Sequence, residues 1–126
     1  MNREIKFRAW DKANKEMLEV EALFFVTGGI KTFQKGKGER FLHKNLSVLE
    51  QFTGLRDKNG KEIYEGDIFI AKILPTSTGR HVKVVFEAPT FDVEDKNGDR
   101  AWNLYSVITN GEVIGNIHEN PELLKV

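Results

Sequence analysis

The sequence predicts a mainly β protein with an antiparallel sheet, and three observations lead to this fold class. Apolar and charged side chains alternate along residues 4–10, as in a strand with one buried face. Two short apolar runs, residues 68–71 and 84–86, are rich in β-branched and aromatic side chains. Asn-Gly turn signals occur three times, at residues 59–60, 97–98 and 110–111.

The predicted strands differ in how far they are buried. Along residues 4–10, one face is expected to carry Ile5, Phe7 and Ala9, and the other Lys6, Arg8 and Trp10. Residues 68–71 and 84–86 are expected to be covered on both faces and to form the core. A further strand is predicted at residues 113–117, where Gly115 marks a bulge or a close approach of two backbones.

The turn sequences repeat along the chain. The tetrapeptide Asp-Lys-Asn-Gly occurs at residues 57–60 and again at residues 95–98. Asn-Gly suits a type I′ hairpin, in which both central residues have φ > 0, so each of the three Asn-Gly pairs is predicted to join two antiparallel strands. Because the flanking residues differ, the repeat indicates shared turn chemistry and not a duplicated domain.

Helical signals are few. Residues 45–52 fit either a short helix that Gly54 ends or a strand. Asn120 followed by Pro121 has the form of an N-cap and a first helical residue, which predicts one short helical turn near the end. Paired glycines within residues 28–38 flank a predicted hairpin or arm.

The composition excludes several classes of site and protein. Cysteine is absent, which rules out disulfides, thiolate zinc sites and a cysteine nucleophile. No apolar run approaches the roughly 20 residues of a membrane helix. The chain has 126 residues, of which 40% are hydrophobic, so one core can form without a structural metal. We expect a soluble, cytoplasmic protein that makes no membrane contact.

The charge is balanced over the whole chain but not along it. Nineteen Lys and Arg residues match 19 Asp and Glu residues. Residues 1–44 carry ten basic against six acidic residues, whereas residues 45–126 carry nine against thirteen. Since opposite charges attract, one copy can offer its basic part to the acidic part of the next, and self-association is predicted.

Motifs for catalysis and cofactor binding are incomplete. Asp95, Asn97 and Asp99 fit the first ligands of an EF-hand. However, Arg100 stands where glycine is needed, and Ser106 stands where a bidentate glutamate belongs. The glycines form no phosphate-binding loop, the three histidines are far apart, and no serine lies in a GxSxG elbow. We therefore predict no cofactor, no metal and no enzymatic activity.

One basic stretch has a composition typical of nucleic-acid contact. It spans residues 31–44, where Glu39 alone opposes these basic and aromatic residues: Lys31, Phe33, Lys35, Lys37, Arg40, Phe41 and Lys44. Lysines can follow phosphates while aromatic rings stack on unpaired bases, as in proteins that bind single strands. The same pattern fits a solvated hairpin whose two phenylalanines face the core, and both interpretations stay open.

Residues 57–69, DKNGKEIYEGDIF, form either a site or a corner of the fold. As backbone they contain two reversals, one at each glycine, around a short crossing segment. Ile63 and Ile68 are predicted to point inward. The carboxylates of Asp57 and Asp67 are predicted to accept backbone N–H bonds at the corners, which accounts for the stretch without a ligand.

Three separated segments carry a family resemblance: FRAWD at residues 7–11, QFTGLRDKNGKEIYEGDI at residues 51–68 and VIGNIHENP at residues 113–121. Together they resemble the YopX family of phage and prophage proteins. The family signature in this chain consists of Trp10, Thr53, Gly54, Asp57, Gly60, Tyr64, Glu65, Gly66, Asp67, Gly115, Asn116 and Pro121.

The resemblance implies a small SH3-like β-barrel over residues 48–126, preceded by an N-terminal strand and hairpin region over residues 1–47. It also implies a bacteriophage or prophage protein in the host-cell cytoplasm, and it brings no established biochemical activity. Two functions follow. One is an accessory protein that acts through protein contacts, as a homo-oligomer or with a phage or host protein. The alternative is a protein that associates with single-stranded nucleic acid through residues 31–44.

Overall fold

The computed structural model describes residues 4–100 and 102–125, which form mainly antiparallel strands. The strands are β1 Phe7–Asp11, β2 Glu16–Phe24, β3 Gly29–Gln34, β4 Gly38–His43, β5 Ser47–Arg56, β6 Glu62–Tyr64, β7 Asp67–Ala71, β8 Arg80–Glu87, β9 Thr90–Glu94, β10 Trp102–Asn103 and β11 Glu112–Asn116. The helical segments are α1 Leu104–Val107 and two 3₁₀ turns, Lys44–Leu46 and Pro121–Lys125. The prediction of a mainly β protein is confirmed.

The chain forms two compact units, Met1–Gln51 (unit 1) and Phe52–Val126 (unit 2). β5 runs through this boundary and also through the boundary predicted between residues 47 and 48. None of the helices in the described part of the chain has the length and apolar character needed to cross a membrane.

Unit 1 is a sheet in the order β4-β3-β2-β1-β5, where β5 takes part through residues 47–51. Its buried apolar residues are Ala9, Leu18 and Ile30. Ala9 is buried as the alternation in β1 predicts, but Ile5 lies before the strand and is 60% exposed, so its predicted burial is wrong.

Two segments whose secondary structure the sequence did not decide, residues 28–38 and 45–52, consist mainly of β-strands. Residues 45–52 follow the strand alternative, because only a 3₁₀ turn precedes β5 and the strand continues through Gly54 to Arg56. Gly54 has φ +85° and lies where the register between β5 and β6 shifts. The glycine-flanked segment is the hairpin of β3 and β4.

Unit 2 contains a sheet in the order β10-β9-β8-β7-β11, and β6 pairs with the end of β5. Its core consists of Ile63, Phe69, Ala71, Val82, Val84, Val93, Leu104 and Val107. Ile68, Phe69, Ala71 and Val84 are core, as predicted, whereas Phe86 is 50% exposed. Phe86 shares the face of Val84, but it lies one residue before the end of β8. The prediction that residues 84–86 are covered on both faces is therefore wrong.

The two Asp-Lys-Asn-Gly segments form hairpin turns, but not of type I′. Gly60 and Gly98 have φ near +80°, whereas Asn59 and Asn97 do not have positive φ. In the first turn, Gly60 N donates to Asp57 O at 2.9 Å and Asp57 N donates to Lys61 O at 2.9 Å. These bonds are those of a type I turn followed by a left-handed glycine in a three-residue loop. The hairpins are confirmed and the turn type is corrected.

The third Asn-Gly pair does not form a hairpin. Residues 110–111 connect α1 to β11, and neither residue has positive φ. A Cβ atom on Gly111 would overlap the ring of Phe69. Glycine is therefore needed here for space and not for backbone conformation, and the predicted hairpin is wrong.

The C-terminal predictions agree with the structure. The register between β11 and β7 shifts between Val113 and Gly115, which is the predicted bulge. Pro121 begins the predicted helical turn, which is a 3₁₀ turn.

The order of strands in unit 2 is linear, and no closed barrel is found in the residues that the structure describes.

Candidate functional site

Unit 1 exposes more large apolar side chains than unit 2. Of the twelve exposed large apolar residues found in the described ranges, eight lie in unit 1 and four in unit 2. Those of unit 1 are Ile5, Phe24, Phe25, Val26, Phe33, Phe41, Leu46 and Leu49. Exposed apolar side chains that lie together indicate surfaces for contact with other molecules.

The turn between β2 and β3 forms the first such surface, which we call the tip (Phe24, Phe25 and Val26). Phe25 is 88% exposed and Val26 is fully exposed. Gly28 N donates to Phe24 O at 2.8 Å, so the turn is held by the backbone and not by these side chains. An apolar groove of about 250 Å³, lined in part by Leu23 and Leu49, lies beside the tip.

The second surface is the aromatic face of the β3–β4 hairpin, formed by Phe33 and Phe41. In the β3–β4 register, Phe33 pairs with Glu39 and Phe41 pairs with Lys31, so all four side chains share one face. Phe33 is 46% exposed and Phe41 is 67% exposed. The interpretation in which both phenylalanines face the core is therefore wrong.

Carboxylates pair with most of the basic stretch. Lys31 Nζ lies 3.2 Å from Glu39 and 3.6 Å from Glu21. The hydrogen bond to Glu39 and the charge of Glu21 raise the pKa of Lys31. Lys37 Nζ lies 3.8 Å from Glu16. The positive charge that the sequence places at these two residues is thus balanced locally.

Arg40 is held on the opposite face of the hairpin. Its Nη1 donates to Asp11 at 3.0 Å and to Glu16 at 3.1 Å. Asp11 is buried, and its hydrogen bond with Asn14, together with that from Arg40, lowers the pKa of its carboxyl. Lys35 is exposed and takes part in none of the ion pairs found in residues 4–100 and 102–125.

The aromatic face borders an acidic groove. Glu19, Glu21 and Glu39 line a cavity of about 430 Å³ together with Val20 and Phe33. Carboxylates at this position repel phosphate. The sequence of residues 31–44 did not reveal this groove, because two of its glutamates come from β2 and reach the site only through strand pairing.

Asp57, in the family signature, accepts three backbone N–H groups and so connects its own turn to β11. Its buried carboxylate accepts N–H bonds from Asn59 and Lys61, both at 2.9 Å, within the turn. The second oxygen accepts the N–H of Val113 in β11 at 2.9 Å. The predicted corner role of Asp57 is thus seen directly, and the bond to β11 extends it.

The second corner is built in the same way. The buried carboxylate of Asp67 accepts the N–H of Tyr64 at 2.8 Å. Gly66, with φ +86°, donates its N–H to Val84 O and accepts the N–H of Ile117. Ile63 and Ile68 on either side are fully buried, as predicted. The corner therefore joins β7, β8 and the end of β11.

Four other signature residues are held by hydrogen bonds or are half-buried within the fold. Thr53 Oγ1 donates to Ile63 O at 2.7 Å. Asn116 Oδ1 accepts the N–H groups of His118 and Glu119, and Asn116 N donates to the side chain of Asn120 at 3.3 Å. Trp10 and Glu65 are half-buried.

Comparison with known proteins gives the family. The chain matches the family described as YopX protein over residues 6–125. It belongs to the YopX family. Its fold and sequence are also similar to those of protein EF1440 from Enterococcus faecalis, whose crystal structure shares 35% identity and a TM-score of 0.68 over 98% of this chain and 99% of that chain. No curated protein matches the chain.

In the part of this YopX protein that the structure describes, side chains that suit a metal do not come together. No group of three or more His, Asp or Glu side chains that could hold a metal ion is found within the described ranges. Asp95, the first residue of the incomplete EF-hand pattern, uses one oxygen for the N–H groups of Asn97 and Asp99 and the other for Arg80. These hydrogen bonds and the Arg80 charge lower the pKa of Asp95, with the bond from Asp99 contributing most.

Proposed function

We propose that this YopX protein is a non-enzymatic phage or prophage accessory protein of the host cytoplasm that acts through protein contacts, first of all with further copies of itself. The observation that carries the proposal is the concentration of exposed apolar side chains on unit 1, at the tip and on the aromatic face. Removing such surface from water favours association by roughly 25 cal/mol per Å² of apolar area.

The distribution of charge supports contact between copies. Residues 1–51 carry ten basic and seven acidic residues, and residues 52–126 carry nine basic and twelve acidic residues. The two units therefore have opposite net charges of equal size. Copies of the chain attract one another through these charges in solution, although the whole chain is neutral.

Light scattering tests the self-association. We expect a mass that is a multiple of 14.4 kDa at micromolar protein concentration. Measurements over a range of concentration and salt separate the apolar contribution from the charge contribution, because salt screens only the latter. A mass of 14.4 kDa at all concentrations would contradict self-association.

Pull-down from phage-infected host cells tests for a further partner. The tagged full chain is used with and without nuclease treatment. A protein partner that survives nuclease supports action through protein contacts. Nucleic acid as the sole captured partner supports the alternative function.

We also propose that the chain is not an enzyme, because motifs for a metal, a nucleotide and an activated nucleophile are incomplete in its sequence. Purified protein is expected to give background rates in assays for esterase, phosphatase, nuclease and nucleotide hydrolysis. A reproducible turnover that one point mutation abolishes would overturn this proposal.

Association with single-stranded nucleic acid is the second candidate function. It is favoured by one observation, which is that Phe33 and Phe41 are exposed side by side on one face while Lys35 takes part in none of the ion pairs described above. The acidic groove beside Phe33 opposes it. The salt dependence of binding, treated in the Discussion, distinguishes this function from the first.

For unit 2 we propose the small SH3-like barrel in an open form. The support is its set of short antiparallel strands and the hydrogen bonds of Gly66 to Val84 and Ile117, which draw the β6–β7 corner against two other strands. A crystal structure tests this proposal through the hydrogen bonds at the sheet edges. A flat sheet with widely separated edges would contradict it.

A further inference from the structure

β4 is a long and regular edge strand of the sheet in unit 1. The strands at the ends of the sheet orders are β4, β6, β10 and β11. β6 has three residues, β10 has two, and β11 is interrupted by its bulge. β4 pairs with β3 over six residues without a register shift and contains neither proline nor lysine. An edge of this length without proline, lysine or a bulge is open to pairing with another strand.

The backbone of β4 directs three residues outward. Lys44 N donates to Gly28 O at 2.9 Å, so the backbone of Lys44 faces the β3 side. Successive residues of a strand point their N–H and C=O groups alternately to the two sides. The backbone groups of Glu39, Phe41 and His43 therefore point away from β3, where a further strand would lie.

The side chains of these three residues are self-complementary. When Phe41 is paired with Phe41 of a second copy in an antiparallel register, Glu39 is placed opposite His43 on the same face. His43 Nδ1 accepts the N–H of Asn45 at 3.1 Å, which leaves the ring proton on Nε2. That Nε2–H is a donor for the carboxylate of Glu39 in the second copy.

We propose that two copies of the chain pair antiparallel along β4, with Phe41 of each copy at the two-fold axis. This inference rests on the proposed self-association and assigns its interface. The partner is a second copy because one strand supplies both members of each pair, aromatic with aromatic and carboxylate with imidazole. The pairing joins the sheets of the two copies and covers the exposed rings of Phe41.

The expected backbone bonds follow from the same register. The two Phe41 residues exchange N–H and C=O, and each His43 N–H reaches Glu39 C=O of the other copy, for about four hydrogen bonds. The carbonyl of His43 already accepts the hydroxyl of Ser47 at 2.9 Å and is left out of this count.

Phe41→Pro is the first test. Proline removes the outward N–H and the ring, while the bonds of Arg40 and Leu42 toward β3 remain, since proline is tolerated on the free side of an edge strand. We expect light scattering to give twice 14.4 kDa for the wild type and 14.4 kDa for the variant, with an unchanged circular dichroism spectrum. Phe33→Ser is the matched control, on the same face but on the inner strand β3, and is expected to remain a dimer.

Phe41→Cys is the second test and does not depend on the fold tolerating proline. The chain has no cysteine, so the introduced thiol is the sole thiol. The Cβ atoms of an opposed, hydrogen-bonded antiparallel pair lie about 5.5 Å apart, farther than the roughly 3.5–4.5 Å of a disulfide, so a short bis-maleimide cross-linker is used in place of oxidation. The cross-linker is expected to give a covalent dimer of Phe41→Cys but not of Phe25→Cys, which places the thiol at the exposed tip.

The outcomes separate this inference from the function on which it rests. A monomeric wild type would overturn both. A wild-type dimer that persists in Phe41→Pro, or that cross-links through Phe25→Cys and not through Phe41→Cys, would overturn the β4 interface and leave self-association standing. Loss of the dimer in Phe41→Pro together with cross-linking at residue 41 supports both.

Discussion

At the scale of single residues, the two Asp-Lys-Asn-Gly turns share a sequence but differ in what their aspartates hold. Both Asp57 and Asp95 accept two N–H groups of their own turn. The remaining oxygen of Asp57 accepts the backbone of Val113, whereas that of Asp95 accepts the half-exposed guanidinium of Arg80. The first bond ties the turn to the backbone of another strand, and the second is an ion pair whose guanidinium is half-exposed.

Asp57→Asn is therefore expected to destabilise the fold more than Asp95→Asn. The amide NH₂ that the first substitution introduces would face the N–H of Val113, and an unsatisfied buried donor costs about 1–3 kcal/mol in the free energy of unfolding. Asp95→Asn keeps an oxygen for its turn and loses an ion pair that water screens on the side of the half-exposed Arg80, for which a smaller effect is expected. Urea unfolding at neutral pH measures both, and an equal or reversed order would contradict the role assigned to Asp57.

Gly60 gives a second prediction at this scale. Its φ is +83°, and a Cβ atom there would meet no atom within 4 Å, so a substitution strains the backbone without a clash. Gly60→Val is expected to lower the free energy of unfolding by more than about 1 kcal/mol. Gly60→Asn is expected to cost less, because asparagine adopts the left-handed region more readily.

Gly66, with φ +86°, is expected to respond to valine in the same direction. Gly29→Ala is the control, since Gly29 has no positive φ and its nearest atoms lie at an ordinary 3.5 Å. Thermal melts compare the variants. Unchanged melting temperatures for both valine variants would mean that these turns do not require a left-handed residue.

At the scale of elements, turns were predictable where their chemistry is local. The hairpins at residues 57–60 and 95–98 follow from the tetrapeptide alone, because aspartate and glycine satisfy the turn within five residues. Residues 110–111 carry the same Asn-Gly pair, yet Gly111 is selected by the ring of Phe69, a residue far away in sequence. A contact of that kind is invisible in the local pattern.

The candidate surfaces were predictable only in part for the same reason. The basic and aromatic residues of 31–44 are evident in the sequence, but their neutralising partners other than Glu39 lie on β1 and β2. The tip was not predicted, since an apolar run such as residues 23–26 is equally typical of a buried strand. Its exposure follows from the position of the β2–β3 turn.

The contribution of the β11 bulge to the stability of the fold can be tested. A Cβ atom on Gly115 would lie 2.5 Å from Asn120 Oδ1, the atom that accepts Asn116 N. Gly115→Ala is therefore expected to displace Asn120 and to destabilise the fold by about 1–3 kcal/mol. Asn120→Gly removes the clash, so the double variant is expected to lose less stability than the sum of the two single variants.

Urea unfolding of the wild type, the two single variants and the double variant measures the coupling between Gly115 and Asn120. Ser106→Gly, in α1, replaces Asn120→Gly in a control cycle and is expected to be additive with Gly115→Ala. Additive effects for Gly115 and Asn120 would show that the bulge and the C-terminal 3₁₀ turn do not depend on each other.

At the scale of the whole molecule, the chain is neutral but its units are not, and three of the five basic residues within 31–44 are engaged in ion pairs. Lys31, Lys37 and Arg40 pair with carboxylates on neighbouring strands. A phosphate would have to displace these carboxylates before it could bind. The excess charge is therefore better suited to a protein surface of opposite sign than to a dense row of phosphates.

We accordingly expect no binding of single-stranded oligonucleotides by the wild type, even at low salt. If all five basic residues of 31–44 neutralised phosphates, affinity would fall with a log–log salt slope between about −3 and −4, at about −0.7 per contact. Fluorescence anisotropy with a labelled oligonucleotide at increasing salt measures this slope.

Glu21→Gln combined with Glu39→Gln releases Lys31 and weakens the acidic groove, so this variant is expected to gain weak, salt-sensitive binding. Wild-type binding with the steep slope, weakened by Phe33→Ala or Phe41→Ala without a change in slope, would instead establish the aromatic face as a stacking surface for unpaired bases.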